Sequence, residues 1–247
     1  MIRTIGATAS DNAALPTGAA KTAQVRDMFD AIAPRYDLVN RVITFGLDRR
    51  WRARTFDALG LPAGSTVLDL ACGTGDFAAL VVKRGCRAVG SDLSKGMLSA
   101  RHDDFPAVQS DALRLPFADG TFDGVVCGYA LRNFTDLASS LTEAARVLRA
   151  GGRLAVLEVA SPDGALMRRG FDFWFGTCVP AIGAALSDGA AYRYLPRSTA
   201  YLPEPDALRQ MLGASGFATV GRQLLNGGLS QILTATRRGM PACDGTT

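Results

Sequence analysis

At 247 residues, 48% hydrophobic and 20% charged, the chain has enough apolar material for one two-sided α/β core and is not a disordered or fibrous sequence. A net charge of +4, without a wide basic face interleaved with aromatics, speaks against a nucleic-acid face. No run of 18 apolar residues occurs, so no spanning helix is expected. Five cysteines without a C-x-x-C pair, and His102 as the one histidine, speak against a disulfide framework and against any metal site, and suggest reduced thiols in a cytoplasm.

In chain order, residues 1–20 read as a flexible tail and 21–60 as a helical cap in two or three pieces. Val25, Met28, Phe29, Ile32 and Ala33 form a helical stripe that Pro34 interrupts. Leu38, Val39, Val42 and Ile43 begin a second stripe, and Trp51, Phe56 and Leu59 a third. Arg49, Arg50, Arg52 and Arg54 read as a solvated helix face, with contact to anionic lipid as an alternative. Strand and helix then alternate over 61–238. Strands are expected at 66–71, 87–92, 107–109, 121–129 and 153–159. Helices are expected at 75–83, from the cap Ser94, and from the cap Asp136 to Arg149, where Gly151-Gly152 stops the last. Such alternation implies a mainly parallel sheet. At Pro162 it breaks, and residues 162–205 form a long aromatic-rich connection in which Phe171, Trp174 and Phe175 share one helical face. The preferred reading is a lid lining a greasy substrate pocket. A last helix at 208–213 precedes a hairpin, 217–225 and 229–236, turned at Asn226-Gly227-Gly228, and 239–247 is a second tail.

The chemistry concentrates at Asp69-x-x-x-Gly73-Thr74-Gly75-Asp76, between the first strand and its helix, with Asp92 ending the second strand. Gly73 and Gly75 let a ligand approach the backbone, and a carboxylate at Asp92 can accept from both hydroxyls of a ribose. Gly73-x-Gly75-x-x-Ala78 also satisfies a dinucleotide fingerprint. Asp69 and Asp76 beside the loop would repel a pyrophosphate but suit a ligand with cationic groups, such as S-adenosylmethionine (SAM).

Several motifs together resemble the ubiquinone/menaquinone biosynthesis C-methyltransferases, from about Phe29 to Gly228. They are Phe29-Asp-x-Ile-Ala-x-x-Tyr36-Asp37-Leu-Val-Asn40, Phe45-Gly46-Leu47, Trp51-Arg52, the loop above, Asp92-x-Ser94-x-Gly96-Met97-Leu98, Asp111-Ala112-x-x-Leu115-Pro116-Phe117, Leu131-Arg132-Asn133, and Tyr192-x-Tyr194-Leu195-x-x-Ser198. The chain differs from the family pattern at Gly128 and Ala130, and at Leu229-Ser230-Gln231-Ile232, where a histidine is usual. The resemblance implies a three-layer, Rossmann-like class I methyltransferase fold. Its sheet would be seven-stranded and mainly parallel with a C-terminal antiparallel hairpin, under an N-terminal helical cap and a lid insert. It implies SAM as cofactor, held by Asp69, Gly73, Thr74, Gly75, Asp92, Met97, Asp111, Ala112 and Gly128. Asp92 would take the ribose, Asp111 the adenine amino group, and Asp69 with Gly73 the methionine end.

The expected reaction is C-methylation of a demethyl-quinol or related phenol. Arg132 would stabilise a phenolate or orient a water, Asn133 would fix the ring, and Tyr36 would bond the SAM carboxylate or the substrate hydroxyl. A guanidinium is no base, since its pKa lies above about 12. The plainer alternative for Arg132 is a structural partner of Asp136 or Asp123. His102 reads as a surface residue. The partner is a small aromatic molecule, with a prenyl tail, peripheral membrane contact and a homodimer left open, and no nucleic acid is expected. Methylation of a specialised metabolite, SAM binding without transfer, and, last, a NAD-dependent oxidoreductase remain as other readings.

Overall fold

The computed structural model describes residues 16–162 and 164–239. The expected tails fall largely outside these residues, although Gly18 to Ala20 already belong to the first helix. Three helices come first, α1 (Gly18–Ile32), α2 (Tyr36–Ile43) and α3 (Leu47–Leu59), with a single tight turn at Ala33–Arg35 where Pro34 sits. The alternating unit runs β1 (Thr66–Leu70), α4 (Asp76–Lys83), β2 (Arg87–Asp92), α5 (Lys95–Ser99), β3 (Ala107–Gln109), β4 (Phe122–Gly128), α6 (Leu137–Val147) and β5 (Leu148–Val159). Three further helices, α7 (Ala165–Phe173), α8 (Val179–Leu186) and α9 (Gly189–Ser198), make the insert; α10 (Pro205–Ala214), β6 (Phe217–Leu225) and β7 (Ser230–Arg237) close the chain.

The seven strands are ordered β3-β2-β1-β4-β5-β7-β6. The first five are parallel, and β7 runs antiparallel to both β5 and β6. Strands covered on both sides need apolar residues on both faces. Leu68, Leu70, Val125, Cys127, Leu154 and Val156 pack on the α6/α10 side. Val67, Val126, Ala155 and Leu157 pack on the α3/α4 side, against Trp51, Phe56 and Phe77. This two-residue alternation later decides which way Asp69, Gly128 and Glu158 face.

Local signals explain most boundaries. The Ser94 side chain accepts from the Met97 N–H, and Asp136 accepts from the Ser139 N–H, so both are N-caps. Pro205 occupies the first turn of α10, which begins earlier than the expected 208–213 because a pre-set φ favours that position. The expected stop at Gly151-Gly152 does not end α6. The helix stops at Val147, because Leu148 is extended and already pairs with Phe122 of β4; residues 149–152 then bulge from β5, with Gly151 at φ +75°. A cross-strand pairing, invisible locally, overrides the glycine signal.

The long connection is almost wholly helical. Between α7 and α8 a wide π-type turn, Trp174–Cys178, is bonded from the Val179 N–H to the Trp174 carbonyl. The next residue, Pro180, has no N–H to continue the ladder. Helices α8 and α9 pack face to face where Gly183 meets Tyr192, and any Cβ at 183 would run into that ring. Gly183→Ala therefore overpacks the insert, at a cost of about 1–3 kcal/mol. Limited proteolysis should cut between residues 164 and 205 faster in that variant than in the wild type, while the sheet's far-ultraviolet circular dichroism is unchanged.

Candidate active site

Strand order reverses between β1 and β4, so their carboxyl ends diverge and open a crevice. Both strands leave it through a left-handed non-glycine residue, Ala71 at φ +56° and Tyr129 at φ +58°. Such backbone strain costs roughly 1–2 kcal/mol per residue and gathers at functional sites. Gly73 and Gly75 are also left-handed, at φ +55° and +97°. A side chain at Gly75 would strike the Phe105 ring, whereas nothing stands within 4 Å of a Cβ at Gly73. The first glycine allows internal packing and the second keeps the cleft open.

The Gly73 N–H donates to Asp92 Oδ2 at 2.8 Å, and the Ser94 N–H donates to Oδ1 at 2.8 Å. Each oxygen thus keeps acceptor capacity facing the cleft. Burial raises the Asp92 pKa, opposed by these backbone hydrogen bonds. The cleft is lined by Gly73, Asp92, Met97, Asp111, Ala112 and Gly128 on the sheet side and by Thr22, Val25 and Phe29 of α1 on the other. Helix α1 is fastened over it by Asp30, which accepts from the Ser94 hydroxyl at 2.5 Å and the Gly96 N–H at 2.7 Å.

A second, larger cavity of about 340 Å³ lies between α2, the insert and the hairpin. Phe171, Trp174 and Phe175 all line it, with the Phe171 and Phe175 rings stacked at 5.1 Å. Phe29, Tyr36 and Tyr129 line both spaces. A polar cleft and an aromatic cavity therefore meet at three aromatic side chains.

Residues 17–237 match the model of the ubiE/COQ5 methyltransferase family. The chain belongs to that family. It is 41% identical over 220 residues to a demethylmenaquinone methyltransferase of Thermus thermophilus, covering 85% of this chain and 100% of the relative. It is 44% identical over 214 residues to one of Deinococcus radiodurans, covering 82% and 88%. A ubiquinone/menaquinone biosynthesis C-methyltransferase of Geobacter sulfurreducens is 34% identical over 229 residues, covering 88% and 90%. Among solved structures, a SAM-dependent methyltransferase of Thermotoga maritima, titled a possible histamine N-methyltransferase, superposes with a TM-score of 0.61 at 19% identity, over 87% of this chain and 100% of that one. Phosphoethanolamine N-methyltransferase 2 of Haemonchus contortus gives a TM-score of 0.64 at 14% identity, over 87% and 60%. At such identities the structures speak for the fold alone, and it is the class I methyltransferase fold.

Within this methyltransferase, not every sequence-expected residue reaches the cleft. Asp69 does not line it. Sharing the Val67 face of β1, its Oδ2 accepts from the Ala78 N–H at 2.9 Å and so holds the start of α4. Thr74 is buried, and its hydroxyl donates to Asp37 Oδ1 at 2.8 Å, while His102 pairs with the other Asp37 oxygen. Gly75 faces Phe105. Asp76 lies 3.4 Å from Arg52 Nε. Neither Asp69 nor Asp76, the two acids that argued for a cationic ligand, faces the cleft, because strand alternation and the helix start turn them inward; Asp92, the expected ribose acceptor, lines it. Arg52 is a correction too. Arg49, Arg50 and Arg54 are exposed, but Arg52 is 8% exposed and covers the Phe77 ring at 5.0 Å.

Arg132 lines the aromatic cavity, but its acid partner is neither Asp136 nor Asp123. Asp136 caps α6, and Asp123 accepts from the Thr66 N–H and pairs with Arg149. The partner is Glu158 of β5, wholly buried, and Arg132 Nε also donates to the Ser198 hydroxyl at 3.1 Å. A single acid in the apolar run of β5 was the signal for a buried cation opposite it. Asn133 lies on the cofactor side, its Oδ1 accepting from the Tyr194 hydroxyl at 3.4 Å. Burial raises the Tyr36 pKa, opposed by Arg52 and Arg132.

Burial also pushes Asp69 up to about 7, with Arg52 and the Ala78 N–H pulling the other way. The folded state then holds this proton longer than the unfolded chain does. Stability that depends on neutral Asp69 is present at low pH and is lost as pH rises from the ordinary carboxylate range through about 7. Asp69→Asn keeps an acceptor for Ala78 and removes the titration. In urea melts, the variant's stability relative to wild type should rise between pH 4 and pH 8.

Proposed function

We propose that this SAM-dependent methyltransferase methylates a ring carbon of a demethylmenaquinol-type hydroquinone. The observation carrying this reading is the junction at Phe29, Tyr36 and Tyr129 between the polar cleft and the aromatic cavity. The cleft fits SAM on its donor set. Asp92 retains acceptor capacity for two ribose hydroxyls, and Asp111, whose Oδ1 already accepts from the Leu113 N–H at 3.0 Å, keeps capacity for an exocyclic amine. Met97 and Ala112 offer apolar contact, while Gly73, where a Cβ would meet nothing within 4 Å, leaves room for the methionine end. When bound, SAM supplies an electrophilic methyl group on a cationic sulfur.

The protein's own part is to orient the ring, exclude water and favour the ionised hydroxyl that makes the ring carbon nucleophilic. Arg132 serves the last purpose. Glu158 and Ser198 occupy Nη1 and Nε, which fixes the fork and leaves the remaining donors for a phenolate. A carboxylate beside the guanidinium moderates its field, so the phenolate is stabilised without a full unpaired charge in the cavity. Tyr36 at the junction, and Asn133 on its cofactor side, serve as ring-positioning groups.

A prenylated substrate suits the cavity's surroundings. Leu38, Val42 and Phe45 on α2 and its following turn, and Leu166, Met167 and Phe173 on α7, are large apolar side chains left exposed. Phe45 stacks on Trp174 at 4.7 Å, at the cavity wall. These side chains support peripheral membrane contact through α2 and α7 rather than through the Arg49–Arg54 helix; no described helix is long and apolar enough to cross a membrane. One observation favours the second reading, a phenolic specialised metabolite: Ser230, a departure from the family pattern, lines the cavity and meets the Tyr129 hydroxyl at 3.2 Å.

Mass spectrometry of reactions with SAM and demethylmenaquinol should show a product carrying one added methyl on a ring carbon; methylation of oxygen, or of none of the quinols, overturns the reading. Asp92→Ala should weaken SAM binding at least tenfold in calorimetry, and unchanged affinity removes the ribose assignment. Arg132→Ala should lower kcat by roughly 10²–10³ and leave SAM affinity within twofold, as expected for loss of a transition-state donor.

A further inference from the structure

Helix α1 crosses the cofactor cleft and is held at both rims, by fastenings of unequal strength. Near its carboxyl end, at the β2 rim, Asp30 accepts from the Ser94 hydroxyl and from the Gly96 N–H at 2.7 Å. A Cβ at Gly96 would stand 2.8 Å from the Asp30 Cα, so backbone meets backbone there without slack. At the other end, on the β4 rim, the fastening is made by side chains. Lys21 Nζ donates to the Phe134 carbonyl at 2.7 Å, and the Thr22 and Thr135 hydroxyls meet at 2.6 Å. The Tyr201 hydroxyl, in the turn after α9, donates to the Pro16 carbonyl at 2.5 Å.

This amino-terminal fastening is the weaker. Thr17 makes no side-chain cap, and the first turn of α1 carries no acid, so its free N–H groups lack their usual support. Lys21 is 3% exposed, and among the described residues its ammonium meets one carbonyl and the face of the Tyr201 ring, 3.5 Å from Nζ, for three N–H donors. Burial lowers its pKa from the ordinary 10.5 to about 8, so the charge is better placed in water than in the closed latch. Beyond Asp30 the helix stops at Ile32, and the single turn Ala33–Arg35 contains Pro34, whose missing N–H breaks the ladder before α2 begins. A helix gripped at one end, beside a break, and latched at the other is a hinged strap.

The size of the cleft requires the strap to lift. With α1 down the cleft measures about 90 Å³, against roughly 300 Å³ or more for sites that bury a small-molecule ligand. Its floor is fixed, because Gly73 and Asp92 are bonded across the ends of β1 and β2 at 2.8 Å. Thr22, Val25, Arg26 and Phe29 of α1 form the movable wall. We propose that α1 is a strap over the cofactor cleft, hinged at Ala33–Arg35 and latched at Lys21 and Thr22, and that it lifts each time SAM enters and S-adenosylhomocysteine leaves. The inference rests on the SAM reading given above and adds how that site is opened.

The test fastens the latch covalently. Thr22→Cys with Thr135→Cys places two thiols where two hydroxyls now touch, within disulfide reach. Uptake and release of radiolabelled S-adenosylhomocysteine are timed on this protein oxidised with diamide and again after reduction, with the cross-link confirmed by mass. Both rates should fall at least tenfold in the oxidised form and recover on reduction. Equal rates in the two forms overturn the proposal, as does an equal fall in either single variant treated alike. Lys21→Ala, which needs no cross-link, should release S-adenosylhomocysteine at least threefold faster than wild type, with hydrogen exchange quickened over residues 18–25 and unchanged over 28–32. Unchanged release, or exchange quickened alike along the whole helix, is fatal to the hinged strap, and this arm decides should the paired variant not fold or not cross-link. Wild type that binds no S-adenosylhomocysteine refutes the SAM reading itself, a result distinct from a strap that does not gate.

Discussion

The hydrogen bond from the Gly73 N–H to Asp92 joins the ends of β1 and β2 and holds the site's geometry. Without it the loop after β1 would have a free N–H pointing at an unanchored carboxylate, and the cleft would lose its floor. The other oxygen of Asp92 binds the Ser94 N–H, and Ser94 passes the connection to Asp30 of α1. One half-buried carboxylate thus ties together two strands, the start of α5 and the cap. It can do so because each carboxylate oxygen accepts more than one hydrogen bond, leaving capacity for a ligand after the scaffold is satisfied.

Two spaces follow from that scaffold. The cap closes the cofactor cleft from one side, and the insert closes the aromatic cavity from the other. They share Phe29 and Tyr36 from the cap region and Tyr129 from the strained end of β4. A methyl donor and a ring acceptor need contact at one point only, and elsewhere separation keeps water and the wrong groups apart. The two buried arginines are placed differently. Arg132 stands beside the aromatic cavity with its charge shared by Glu158, and Arg52 packs behind Gly128 against the Phe77 ring and Asp76, lining neither space.

Much of this was legible in the linear chain. Ser94 and Asp136 announce helix starts because a short oxygen-bearing side chain can cap only the next turn, and both do so. The apolar runs of β1, β4 and β5 announce strands covered on both faces. Phe171, Trp174 and Phe175 fall on one face of a helix, and they line one cavity. Less legible were the partners. Arg132 stands out in its motif, but its separation of 26 residues from Glu158 hides the pair from any local pattern. Arg52 looked like its exposed neighbours Arg49 and Arg50, since charge alone does not say which side of a helix is buried.

What the sequence determined by itself is what short-range stereochemistry decides: glycine loops, caps, the period of apolar residues, and the set of motifs that mark the family. These depend on neighbours within a few positions. Only the tertiary structure decided where the acids point. Asp69, Asp76 and Asp92 lie near one loop in the chain, yet one caps α4, one meets Arg52 and one faces the cleft. The reason is that a side chain's direction is set by strand alternation and helix phase, whereas the group it meets is set by packing between elements far apart in sequence.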